Sequence, residues 1–532
     1  MTQAPPGTGL LGAPPEEETL TVARNVSTRY LAIVAEMVVG LLVLPFNLAH
    51  LGAAAYGLWM LTASVTVYFS VLDLGFSNGL VKFVAQYRAR RDAQALNEIL
   101  STIFFVFTTL AVITYLIAAA VALNLGTLFS LTPAQVELGR AVLLIISVHV
   151  ATGLAFGVFG GVINGFQRYD LNNLVGMAST LVTAAVNVAV LLAGYGLIEL
   201  VAATTIVRVL TYWAYRANAY RVFPGLHVRA SLVRKARLRE IAPFSFHMFV
   251  IDWANKLNYS VDVLLIGALL NTTAVAVWTV AQRLTDAALR LTNQLSQVLF
   301  PTVVDNEAAS RRDRLRAILV VGTRLSLAMI LPIGGTLILM AGPLVRAWVG
   351  SNFADSVLIL QVLTLGVIAR VGAATASTVL KGTDRHQLVA GTNVATAVVN
   401  LSLSVALIGP YGLTGVAVGT LVPVTLGSIL VIFPTGCRQV DLPLVRAWRE
   451  AVWPALWPVA VMTAFVLLLR PYVADGSLVV VGALMVASAA VYALTFMALA
   501  VTAAERRLFA ERAQQLLAWR RPLAARATSE VG

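Results

Sequence analysis

Lysine and arginine fall in every second gap between the long apolar stretches that fill positions 30 to 502, and this rhythm permits few folds. The gaps after even-numbered stretches carry Lys82, Arg88, Arg90 and Arg91, then Arg168, then a run from Arg216 to Arg239. Arg311, Arg312, Arg314 and Arg316 follow, then Lys381 and Arg385, then Arg438, Arg446 and Arg449. The alternate gaps hold only Arg140, Arg346 and Arg470, each at the edge of an apolar segment. Short cytoplasmic loops retain Lys and Arg while translocated loops lose them. The pattern therefore predicts an even number of crossings with both termini in the cytoplasm, as in a polytopic inner-membrane protein.

Composition agrees. Hydrophobic residues make up 59% of the chain and charged residues 12%, with a mean hydropathy of +0.83. A soluble domain could not cover its surface from that stock. The net charge of +13 would suit nucleic acid, but the basic residues flank apolar spans. Topology and anionic headgroups account for them, and no nucleic-acid partner is expected. Cys437 is the single cysteine, which excludes an intramolecular disulfide and a multi-cysteine metal site. Residues 1–23 begin with an acidic, proline-rich stretch and are expected to be a disordered tail.

A crossing needs about 20 apolar residues. Fourteen segments qualify, near 30–50, 56–80, 98–122, 139–163, 170–193, 196–215, 241–268, 274–299, 316–340, 355–380, 387–408, 412–433, 450–470 and 477–501. The sequence also repeats. Leu51 to Trp59 recurs as Leu270 to Trp278, and Thr183-Ala184-Ala185-Val186-Asn187 as Thr396-Ala397-Val398-Val399-Asn400. Tyr195-Gly196-Leu197 recurs as Tyr411-Gly412-Leu413, and Gly165 with Arg168 matches Gly382 with Arg385. Six helices per copy is an even number, so both copies insert the same way round, as in parallel-repeat transporters. The expected fold is all-α: an N-terminal lobe over 24–222, a basic linker over 223–240, a second lobe over 241–437 and two further crossings in 438–502. A cytoplasmic amphipathic tail is expected over 503–532. Two six-helix bundles facing one another across a cleft would result.

Asp252, Lys256, Arg283, Asp286, Arg290 and Arg370 fall well inside their spans. At roughly 3 kcal/mol each against lipid, six such groups would cost about 18 kcal/mol, so they must face the bundle interior or water. Arg283, Asp286, Arg290, Asn293 and Gln297 recur every three or four residues on one helix. Asp252 and Lys256 are one turn apart, with Asp262 further along, and this pair can be read as a self-satisfied ion pair. For Arg283, Arg290 and Arg370, the excess of positive charge points instead to an anionic ligand; planar guanidinium groups suit phosphate or pyrophosphate. The second helix carries a milder polar stripe of Thr62, Thr66, Asp73 and Ser77. Glu36, Glu199 and Arg208 are weaker candidates, because each can lie near an interface. Gly153, Gly157, Gly161 and Gly165 form a small-residue ridge expected to serve helix packing.

Other signals carry no chemistry. Gly75-Phe76-Ser77-Asn78-Gly79 fits a nucleophile elbow in letters, but it ends a membrane helix rather than joining strand to helix. No lysine follows a glycine, so there is no phosphate-binding Walker loop. The five histidines lack metal-ligand spacing. His149 and His247 read as ordinary helix residues, with His247 placed to join a proton path with Asp252. The gaps between spans on the external side are short, which disfavours an enzyme acting on a large acceptor. No cofactor is expected.

Tyr56-Gly57-Leu58-Trp59, Asp73-Leu74-Gly75-Phe76 and Tyr87-Arg88-Ala89-Arg90-Arg91 together resemble the amino-terminal signature of polysaccharide-transporter flippases. These belong to the multidrug/oligosaccharidyl-lipid/polysaccharide exporter superfamily. Asp262-Val263-Leu264-Leu265-Ile266-Gly267 resembles the pattern opening that family's second lobe, and the resemblance covers about residues 20–435. It implies alternating-access export of a polyprenyl-pyrophosphate-linked oligosaccharide, with Arg283, Arg290, Arg370 and Lys256 on the headgroup. Asp252, Asp262, Asp286 and Glu36 would serve cation or proton coupling, and Asp73, Asn293 and Gln297 would line the cleft. Membrane lipids are implied partners, with a glycan polymerase or glycosyltransferases as further ones. A multidrug/cation antiporter and a lipid II flippase, whose branch shares the fourteen-helix count, are the alternatives within the superfamily.

Overall fold

The computed structural model describes the backbone of residues 15–473 and 476–500. Side chains of 15–23, 26, 70–71, 78, 247–248, 250–260, 297 and 500 lie outside the described set. The expected tail at 503–532 and the side chains of Asp252, Lys256, His247 and Gln297 therefore fall outside it.

Every regular element among the described residues is a helix, and none of them is a strand. The first half contains α1 (Pro15–Phe69), α2 (Phe76–Ala89), α3 (Ala93–Leu123), α4 (Leu125–Leu128), α5 (Pro133–Gly165), α6 (Tyr169–Leu192), α7 (Leu197–Val222) and α8 (Lys235–Leu269). There follow α9 (Thr272–Ala308), α10 (Arg312–Leu339), α11 (Ala341–Val349), α12 (Ser356–Gly372), α13 (Ala374–Gly382), α14 (His386–Leu426) and α15 (Phe433–Gln439). The chain continues through α16 (Leu444–Ala447), α17 (Trp453–Leu456), α18 (Pro458–Val473) and α19 (Leu478–Thr495).

Each of the fourteen expected segments falls mainly on helix among the described residues. Ten helices among the described residues are long and apolar enough to cross a membrane. Two of them each hold two expected crossings, because α1 and α14 are interrupted at Gly52 (φ 77°, ψ 162°) and Gly412 (φ 56°, ψ −136°). Those dihedrals are open only to glycine at low cost. The remaining two segments are α8 and α9, whose charged residues lower their hydropathy.

One boundary differs from expectation. The segment expected at 56–80 is not continuous: helix ends at Phe69, a 3₁₀ turn spans Ser70–Asp73, and α2 begins at Phe76. Leu74 and Gly75 both take positive φ, and the Asp73 carboxylate accepts the Gly75 N–H at 2.9 Å. The Gly75–Gly79 stretch thus opens a helix instead of closing one. Gly75 is required there, since a Cβ would collide with the Ser245 carbonyl on α8.

The repeat is visible in backbone conformation. Arg91 and Ser310 are left-handed non-glycine residues 219 positions apart, each just before the start of a helix (α3 and α10). Gln167 and Asp384 are another such pair, 217 apart, before α6 and α14. Local signals set other starts. Asp92 caps α3 through the Ala95 N–H at 2.9 Å, and Thr132 with Gln135 forms a capping box at α5.

Two compact units comprise Met1–Arg283 with Asn393–Gly419, and Leu284–Thr392 with Thr420–Gly532. The first has a core of Leu80, Phe83, Val84, Ile99, Phe107 and Val162 among its buried residues. The glycine ridge on α5 feeds that core. A Cβ at Gly161 would meet Leu80, one at Gly165 would meet Val84, and one at Gly153 would meet the Tyr212 hydroxyl. In the second unit, Val303, Leu319, Val379, Cys437 and Val440 are buried together, and Gly382 makes room for Val303.

Candidate functional site: a cavity inside the first unit

A cavity of about 510 Å³ opens among α1, α5, α6, α7 and the first turns of α9. Its charged lining residues are Glu36, Arg208 and Arg283. Two guanidinium groups against one carboxylate leave it formally positive.

Depth explains why this matters. Arg208 lies eleven residues into α7 and Arg283 eleven residues into α9. At 1.5 Å per residue each is about 16 Å along its helix, a distance comparable to half the thickness of a hydrocarbon core. A guanidinium at that depth needs polar surroundings. Arg283 lies within electrostatic reach of the buried Tyr56 phenol. Arg208 acts electrostatically on both His149 and Tyr212. His149 Nδ1 and the Tyr212 hydroxyl lie 2.9 Å apart, with their rings stacked at 6.0 Å between centroids. The space for Tyr212 exists because position 153 is glycine.

The remaining polar lining is uncharged. Asn47 and Asn187 are 4% and 3% exposed. Thr66, Thr180 and Thr204 donate to backbone carbonyls of their own helices at 2.7, 3.0 and 2.8 Å.

Of the residues expected from sequence, Arg283 and Glu36 line this cavity. Asp262 is buried on α8 beside Tyr68. Asp73 is held in the turn before α2. Asp286, Arg290 and Asn293 are exposed and share the spacing of Arg283 along α9. Arg370 is half-buried in the last turn of α12.

Arg208 ranks higher here than its sequence suggested. A helix expected to end at 215 put it off-centre, whereas α7 runs to Val222 and centres it. His149, Asn47 and Asn187 were not singled out as a site; a polar residue inside an apolar span was the available signal.

Residues 22–307, more than half of the chain, match the family described as Polysaccharide biosynthesis protein. The chain belongs to that family. Every residue lining the cavity lies within the matched region. A protein of Haloferax volcanii described as "Probable flippase AglR" is 23% identical over 504 residues, covering 93% of this chain and 98% of the relative. Among solved structures, the lipid II flippase MurJ in an inward closed conformation superposes with a TM-score of 0.69 at 13% identity, over 90% of this chain and 98% of MurJ. An inward-facing multidrug resistance MATE transporter gives 0.60 at 17% identity, over 78% and 94% of the two chains. The MurJ and MATE likenesses establish the fold. Family, fold and the long apolar helices together make this a multi-pass membrane protein with the fold shared by MurJ and the MATE transporters.

Proposed function

We propose that this member of the family is a flippase. It moves a polyprenyl-pyrophosphate-linked oligosaccharide from the inner to the outer leaflet of the bacterial cytoplasmic membrane, with both termini on the cytoplasmic side. The observation that carries the reading is the net-positive cavity at mid-span, between Arg208 and Arg283. Pyrophosphate is a dianionic ligand whose oxygens match a guanidinium fork. Away from water such a contact gains strength. The description of the Haloferax volcanii relative points the same way. A cavity with this charge would repel the organic cation that a drug antiporter carries.

The two sequence copies suit alternating access, and the carboxyl groups at Glu36 and Asp262 are the proposed coupling sites. The test is complementation of a strain lacking its own flippase, with surface protein level matched. Arg283→Gln should abolish glycan display, and the intact protein should confer no drug resistance on a sensitive host. Full glycan display by Arg283→Gln would remove the support for the headgroup assignment.

A further inference from the structure

Two asparagines occupy matched places in the sequence repeat, and only one of them is satisfied. Asn400 is 1% exposed and its carbonyl oxygen accepts from Ser404 at 3.0 Å, one helical turn on. Asn187 stands at the matching place, but the residue one turn on is Leu191. No group of the protein donates to the Asn187 side-chain oxygen, nor to that of Asn47, although both residues are buried. Both line the cavity of the first unit. Burying an amide oxygen without a donor is unfavourable, so these positions are set against folding stability unless something else meets them.

The hydroxyl groups nearby add a direction. Thr180 and Thr204 have committed their single hydroxyl proton to helix carbonyls, so what remains at each oxygen is lone pairs. The wall formed by α1, α6 and α7 is therefore rich in acceptors, with the buried side-chain oxygens of Asn47 on α1 and Asn187 on α6 among them. Its natural complement is a group that brings protons. An ammonium group would do so, and a metal ion could take the lone pairs directly, but either would enter a cavity already carrying net positive charge. A neutral hydroxyl group brings its proton without that repulsion.

We infer that the wall bearing Asn47, Asn187, Thr180 and Thr204 is a sugar-hydroxyl subsite, which takes the saccharide joined to the pyrophosphate. This rests on the flippase reading and deepens it: the arginines hold the charged linkage, and the amide wall holds the first sugar.

The test compares two lipids on the purified full-length protein in nanodiscs, following binding by microscale thermophoresis. One lipid is undecaprenyl pyrophosphate and the other is undecaprenyl-pyrophosphoryl-N-acetylglucosamine. The wild-type protein should bind the sugar-bearing lipid about tenfold more tightly, the worth of one or two net hydrogen bonds. Asn47→Leu and Asn187→Leu should erase that difference and leave affinity for the sugar-free lipid unchanged. Because each removes an unmet amide, the unfolding temperature should hold or rise, whereas a structural amide would lower it. Thr204→Val should reduce the preference and Thr204→Ser should restore it. Equal binding of both lipids by wild type, or equal weakening of both by the asparagine variants, overturns the subsite. If neither lipid binds at all, the flippase reading fails and the subsite falls with it.

Discussion

The Tyr87 hydroxyl at the end of α2 donates to a carboxylate oxygen of Glu240 on α8, at 2.5 Å. Arg237 completes the arrangement. It reaches Glu98 on α3 and Glu240 at 3.1 Å each, and donates to the Tyr87 oxygen at 2.9 Å. The linker before α8 is fastened to the same place. Asn97 bonds to Gly225 and His227, Ser101 to His227 and Arg229, and the Arg234 N–H donates to Thr102. One end of α3 therefore grips the segment that enters α8.

Arg237→Gln should destabilise the protein by about 2 kcal/mol, because it leaves the largely buried Glu98 facing fewer positive charges. Glu98→Gln should cost less. A double-mutant cycle in detergent should return a coupling of about 1 kcal/mol or more between the two. Additive losses would show that the contact contributes little.

The same network makes stability fall at alkaline pH. Burial, helped by the hydrogen bond to Glu240 and opposed by Arg237, pushes the Tyr87 phenol up from 10.0 to about 12. Folding thus favours the neutral phenol. Its contribution is complete below pH 10 and is lost as pH rises through about 12. Tyr87→Phe should flatten this part of the stability profile between those limits, measured by chemical denaturation. An unchanged slope would assign the alkaline loss to other groups.

Much of this architecture could be read from the sequence. The long apolar segments gave the all-helical, membrane-crossing fold, because that follows from what hydrocarbon tolerates. The break at Ser70–Gly75 was hidden, since Val71, Leu72 and Leu74 keep the stretch apolar while the interruption is set by a close approach of α8. Arg283 was legible as a charge inside a span. Asn187 was not, because its significance lies in what fails to reach it. A motif shared with Asn400 shows the likeness of the two copies but hides the one residue, Leu191 against Ser404, that separates their environments.

The ridge on α5 has a measurable counterpart in the second copy. Gly165→Ala should push its new methyl group into Val84, and Gly382→Ala should do the same to Val303. β-Branched neighbours in a packed core yield poorly, so each change should cost about 1–3 kcal/mol of stability. Pairing Gly165→Ala with Val84→Ala should recover part of the loss. If Gly165→Ala alone is neutral in thermal unfolding, the ridge is not a close-packing surface.

Arg208 offers the sharpest comparison with Arg283, since both lie eleven residues into helices that line one cavity. If the two guanidinium groups act together on one pyrophosphate, Arg208→Gln should reduce glycan display as severely as Arg283→Gln. A loss of about 10- to 100-fold in substrate affinity is expected for one charge-assisted hydrogen bond. Arg208→Lys should be intermediate, keeping the charge while losing the fork. A merely structural Arg208, serving only His149 and Tyr212, would give a different outcome: Arg208→Gln would lower the unfolding temperature and leave lipid affinity per folded molecule intact. Measuring both quantities on the same preparation separates the two roles.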